Sequence, residues 1–321
     1  MKRRCLILPT LLSLLFVLPG LAAAIKTFRI KKVGEAPNFI ALNHDGSMIY
    51  ATSFGSNELI GIDIAQKLVT QRVRVGSGPL GIAIADQGRI ALVACRDSGT
   101  VSVVDLEKFD VIADIEVGGY PNSVAIGPRG YRAYVANFGL GLSGRFHIID
   151  LREYSIMATL KMGVSPFEIV VSPITELVYV VMGGENEVWV VDPDKEAVIK
   201  KIQVGEAPDG IAITPDGTRI FVSNSRTNDL SVIDAELMRV LVTVPIGEMP
   251  FGVAVSPDGK RVFVVNTGSR QVSVLPTDLS SLQGKTFKVD KDPTDIQVGP
   301  DNRTVYVVNE RSNTIVVADV P

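Results

Sequence analysis

Apolar residues along this chain fall into short runs separated by turns rich in Gly, Pro, Asn and Asp. One stretch shows the pattern in full. Val204 to Gly210 reads as a turn, and Ile211 to Thr214 as a short strand. Pro215-Asp216-Gly217 is a tight turn, in which proline sets φ and glycine takes a positive one. Arg219 to Ser223 reads as a second strand, Asn224 to Asn228 as a polar loop, Leu230 to Asp234 as a third strand and Val240 to Val244 as a fourth. Val188-Trp189-Val190-Val191 and Ile315-Val316-Val317 do not alternate with polar residues. Such runs mark strands covered on both faces.

The pattern repeats. Pro37, Pro79, Pro121, Pro166, Pro208, Pro250 and Pro293 are 42, 42, 45, 42, 42 and 43 residues apart. Thirteen residues after each stands Tyr50, Leu92, Tyr134, Tyr179, Phe221, Phe263 or Tyr306, which opens an apolar run. Twenty-six residues after most of them stands an aspartate: Asp63, Asp105, Asp192, Asp234 and Asp319. The third unit reaches Asp150 late, and the sixth has Pro276 instead. Four short β-rich strands in a unit of this length predict an all-β fold, a seven-bladed β-propeller of four-stranded blades. The last unit has three strands before Pro321, while Lys26 to Gly34 aligns with the fourth strand of other units. Residues 25–34 are therefore expected to complete the seventh blade and remove two exposed edges.

The unit resembles the YVTN-type β-propeller repeat. The segments that carry the resemblance are Tyr134-Val135-Ala136-Asn137, Phe221-Val222-Ser223-Asn224, Phe263-Val264-Val265-Asn266 and Tyr306-Val307-Val308-Asn309, each after a turn and before a strand ending in Asp or its substitute. Tyr50-Ala51-Thr52-Ser53, Leu92-Val93-Ala94-Cys95 and Tyr179-Val180-Val181-Met182 are weaker copies. The resemblance implies the propeller fold over residues 25–321. Its members and relatives include exported binding and surface proteins, lactonase-like enzymes, and domains beside haem or copper oxidoreductases.

Residues 1–24 read as a secretory signal peptide. Lys2, Arg3 and Arg4 precede an apolar stretch, and Ala22-Ala23-Ala24 offers a cleavage site. An exported protein, periplasmic or secreted, with no membrane span after cleavage is expected. Without the leader, 29 Lys and Arg face 35 Asp and Glu. That balance opposes a broad grip on nucleic acid or anionic lipid. One cysteine, Cys95, remains, so there is no disulfide framework.

In a propeller the innermost strands line a channel. The loops leading into them open on the same face as the loops between the second and third strands. Side chains there that do not recur are the functional candidates. They are Asn38, Asn122, Glu168, Asp209 and Asp295 after the repeat prolines, and Phe54, Arg96, Phe138, Arg226 and Arg311 in the loops. Asn137, Asn224, Asn266, Asn309 and the recurring aspartates are expected to satisfy turns. His44 and His147 lie in unlike positions of different units, which opposes a histidine metal site or a Ser-His-Asp triad. No Cys-x-x-Cys-His and no Walker loop occurs, so no cofactor is expected.

The reading is an exported, non-catalytic binding or scaffold protein, a monomer, holding a protein, glycan or small anionic molecule at the funnel face. One alternative is lactonase-like hydrolysis using channel carboxylates and arginines. Another is single-stranded nucleic-acid binding by Arg96, Arg226 and Arg311 with Phe54 and Phe138.

Overall fold

A computed structural model describes residues 25–139, 143–282 and 284–321. The expected leader, residues 1–24, lies outside the described residues. Seven four-stranded antiparallel sheets form the fold. We number them as blades 1–7 and letter their strands a to d from the channel outward. Blade 1 runs Pro37–Leu42, Met48–Ser53, Glu58–Asp63 and Leu68–Arg74. The other a strands are Pro79–Ala85, Tyr120–Ile126, Pro166–Val171, Pro208–Ile213, Pro250–Val255 and Pro293–Val298. Each packs on the next, and Pro293–Val298 meets Pro37–Leu42 to close the ring. In blade 7, strand d is Lys26–Lys31, paired antiparallel with Thr314–Asp319 so that Lys31 faces Thr314 and Lys26 faces Asp319. The helical content of the described residues is one short 3-10 turn, Asp86–Gly88. Among them no helix is long and apolar enough to cross a membrane.

The core lies between blades, not within them. The residue thirteen positions after each proline sits in strand b and points into the following blade. Tyr134 packs among Ile169, Val178 and Val180 of blade 4, and Phe221 among Val253, Val262 and Val264 of blade 6. Tyr306 closes the circle against Ile40, Ile49 and Ile60 of blade 1. Alternate residues of strand b face the preceding blade, which is why these runs carry no polar alternation.

The recurring polar residues brace the turns. Asp105 accepts the backbone N–H groups of Glu107 and Lys108, and Asp234 those of Glu236 and Leu237. Asn137 accepts Tyr120 N–H at 2.7 Å, and Asn266 donates to Ser273 Oγ at 2.9 Å. Cys95, in the same position, is fully buried beside Ser102, and burial pushes its thiol pKa up.

One detail of the sequence reading changes. The residues just after each proline are not a loop leading into strand a. Strand a begins at the proline itself, or one residue before it in blade 3, and the pairing to strand b jumps: from Pro208 to Ile211 in blade 5 and likewise in blades 1, 2, 4 and 6, and by one residue less in blades 3 and 7, from Pro121 to Ser123 and from Pro293 to Asp295. Proline is tolerated at the first residue of a strand. The bulge that follows re-aims the side chains it skips.

Candidate functional site at the channel mouth

The bulges set the geometry of the channel. The second residue after each proline meets the a strand of the next blade. In blades 2, 5 and 6 it is Gly81, Gly210 or Gly252. A Cβ at Gly210 would lie 2.2 Å from the Phe251 carbonyl oxygen, and one at Gly81 2.7 Å from that of Asn122. Glycine is required there because the neighbouring backbone fills the space. The position is Glu168 in blade 4 and Asp295 in blade 7, and each carboxylate reaches forward to the next blade. Asp295 Oδ2 accepts Ile40 N–H at 2.9 Å, and Glu168 Oε2 accepts Ile211 N–H at 3.2 Å. Asp295 Oδ1 also accepts Ile296 N–H at 2.7 Å. Both carboxylates line a central cavity of about 300 Å³ walled by all seven a strands.

The electrostatics follow from enclosure. Burial pushes the Asp295 carboxyl up to about 7, against the backbone N–H groups that pull it down. Burial also lifts Glu168 well above the usual carboxylate range, and the charges of Asp295 and Asp209 add to it. Asp209, half-buried in blade 5, is pushed up to about 6 by burial, with Ser225 pulling the other way. A carboxyl raised in the folded state favours folding below its unfolded-state value, near 4, and that contribution is lost as pH rises through about 6 for Asp209 and about 7 for Asp295. Glu168→Gln keeps an oxygen for Ile211 and removes one charge. We expect this variant to be more stable than the parent at pH 8 by about 1 kcal/mol, allowing for water that reaches a half-buried group, with the gain vanishing near pH 4. Melting curves at the two pH values check this. An equal gain at both would show that charge is not the cause.

Aromatic rings border the mouth on one side. Phe138 of blade 3 meets Phe167 of blade 4 edge-on, with centroids 6.5 Å apart, and Phe167 meets Phe251 of blade 6 at 6.0 Å. The row spans three blades and passes over blade 5. Asn122 is buried, and its amide reaches the Phe167 carbonyl at 3.5 Å. Asn38 is half-buried, and its backbone carbonyl accepts the Thr294 hydroxyl at 2.7 Å.

The arginines are not brought together. Arg96 of blade 2 pairs with Asp97 at 3.0 Å and lies over the Phe54 ring at 5.1 Å, so Phe54 is covered by its own chain. Arg226 of blade 5 is exposed. Arg311 of blade 7 pairs with Asp292 at 2.8 Å. Of the three rings in the row, the sequence pointed to Phe138 alone, and the contacts with Phe167 and Phe251 were not anticipated. Sequence reasoning also missed the position two residues after each proline as the ring that shapes the mouth. The recurrence of Gly81, Gly210 and Gly252 was the available signal.

His147 is buried in blade 3 and bonds Thr159 through Nδ1 at 2.9 Å. Burial, with Arg145 nearby, lowers its pKa to about 4, so it is neutral at physiological pH. It is not among the residues lining the channel cavity. His44 lines a separate cavity with Tyr131 and Arg152, on the face of the a–b turns. Among the described residues no cluster of His, Cys, Asp and Glu could hold a metal ion.

The model of the YNCE-like beta-propeller family matches residues 23–211, more than half of the chain. The chain belongs to that family. The YVTN-type repeat read from the sequence is a related kind of propeller. Hydrazine synthase of Kuenenia stuttgartiensis is a solved structure similar to this YNCE-like propeller. The TM-score is 0.83 at 22% identity, over 91% of this chain and 97% of that one. At such identity the likeness is one of fold. No curated protein matches the chain.

Proposed function

We propose that this YNCE-like propeller is an exported binding protein that holds a partner or small ligand at the channel mouth without catalysing a reaction. The observation that carries this reading is the Phe138–Phe167–Phe251 row beside the carboxylate-bearing mouth. It is built from residues that differ between blades, so the repeat does not account for it. Edge-to-face rings with one side open to solvent are the kind of anchor that dominates interfaces. Export rests on the basic, apolar and small-residue segments of residues 1–24.

Loss of the row should weaken binding. Phe167→Ala with Phe251→Ala is expected to lower retention of a captured ligand at least about tenfold, because truncated anchors cost about 2 kcal/mol or more. The check is capture by the tagged protein from its own envelope extract, run in parallel with the double variant. Equal retention by both would remove the mouth from the account.

A second reading, lactonase-like hydrolysis, is favoured by one observation. Glu168 lines the channel cavity with one oxygen held by Ile211 N–H, and burial raises its pKa well above the usual carboxylate range, the direction expected of a carboxyl that donates a proton. Lactone turnover by the purified protein that disappears in Glu168→Gln would establish it over the binding reading.

A further inference from the structure

A basic cleft opens at the rim of the channel face, where blades 6, 7 and 1 meet, with a volume of about 970 Å³. It gathers cations from five separate segments. Lys31 and Lys32 come from the end of the closing strand, Lys291 from the loop into strand a of blade 7, and Arg270 from the b–c loop of blade 6. All four are exposed, and among the described residues none of the four is in an ion pair. Three more arginines line the cleft, each already held by a carboxylate of this chain. Arg29 pairs with Asp290 at 2.9 Å, Arg72 with Glu58 at 3.0 Å and Arg311 with Asp292 at 2.8 Å. Seven cations thus face three carboxylates, in a chain whose net charge is −3.

Lysines on an outer strand commonly serve to blunt a sheet edge. That explains Lys31 at most. It does not explain why Arg270, Lys291 and Arg72, from other strands and loops, turn toward the same space.

We propose that this cleft binds a ligand carrying two or more phosphate or sulfate groups along an extended chain. The site is separate from the channel mouth and does not depend on its role. The unpaired groups are mainly ammoniums, compact point charges that suit a tetrahedral oxyanion. Three of the four guanidinium forks are already occupied by Asp290, Glu58 and Asp292, which leaves Arg270 as the one free fork. No aromatic ring lines the cleft, so it offers no platform for stacked bases. Val289 is its one aliphatic side chain, so it offers nothing to insert into a bilayer. The spread of the cations over three blades calls for more than one anionic group on the ligand.

The test is titration of the full protein at low ionic strength with tripolyphosphate and with dextran sulfate, which separates phosphate from sulfate sources. Oligothymidylate and oligoglutamate serve as competing classes. We expect saturable binding of tripolyphosphate, dextran sulfate or both. Affinity should fall about tenfold or more in Lys31→Glu with Lys291→Glu, and with added salt. Arg270→Glu is a second variant that should act in the same direction. Lys161→Glu with Lys200→Glu changes net charge equally on the outer strands of blades 3 and 4, and should leave affinity unchanged. Three results would overturn the proposal: no binding of either probe, equal losses in the two double variants, or tighter binding of oligothymidylate or oligoglutamate than of both probes.

Discussion

A chain beginning at Glu35 is expected to lose most of its stability and to aggregate on warming, whereas one beginning at Ile25 melts as a single cooperative unit. Residues 26–31 form the outer strand of blade 7, and Val33 N–H continues the contact to Asn313 O at 3.3 Å. Ile30 and Val33 are essentially fully buried against Ile315, Val317 and the first blade. Removing them forfeits roughly 1.5–3 kcal/mol for each buried aliphatic side chain, before the broken ladder is counted. The strand left behind, Thr314–Asp319, is a run of Ile, Val and Ala with an open edge. Such an edge pairs readily with other chains. Thermal melting with light scattering checks this. Equal melting temperatures for the two chains would mean that the closing strand contributes nothing.

Phe221→Ala is expected to cost about 3–5 kcal/mol, the usual range for emptying a buried aromatic site. Phe221 is wholly buried, with Leu230 and Val244 of its own blade on one side and Val253, Val262 and Val264 of blade 6 on the other. Neighbouring blades are held apart by their own backbone pairing, so the cavity cannot collapse easily. That loss is a large part of the roughly 5–15 kcal/mol that holds a domain together. Ile112→Ala is the control. Ile112 lies on an outer strand and is 46% exposed, so its truncation should change stability by no more than about 0.5 kcal/mol. Denaturant titration separates the two. Similar midpoints for both variants would show that the inter-blade wedge is not where the stability lies.

The same wedge explains how much of the molecule could be read beforehand. Strand b is buried on both faces, so its aromatic and aliphatic residues cannot drift, and they recur at a fixed distance from each proline. Asp105 and Asp234 recur for a similar reason, since each turn needs an acceptor for its free N–H groups. The channel was less legible. Asn38, Asn122 and Asp209 were read as loop residues, because a proline followed by polar or glycine residues ordinarily signals a turn. In the fold they sit on a bulge within strand a. What Gly210 must avoid is the carbonyl of Phe251 in the next blade, a constraint that no pattern within one unit expresses. Phe138, Phe167 and Phe251 are far apart in the chain and meet only because the ring is closed. The basic cleft was hidden in the same way. Its cations are scattered along the chain, and the negative net charge argued against looking for them.

The binding account turns on which face of the propeller is occupied in the cell. Site-specific photo-crosslinking settles it, with the photoreactive residue placed at Phe251 beside the channel mouth or at His44 on the opposite face. The account predicts a covalent adduct from position 251 and none from position 44. An adduct from position 44 with none from position 251 would contradict it.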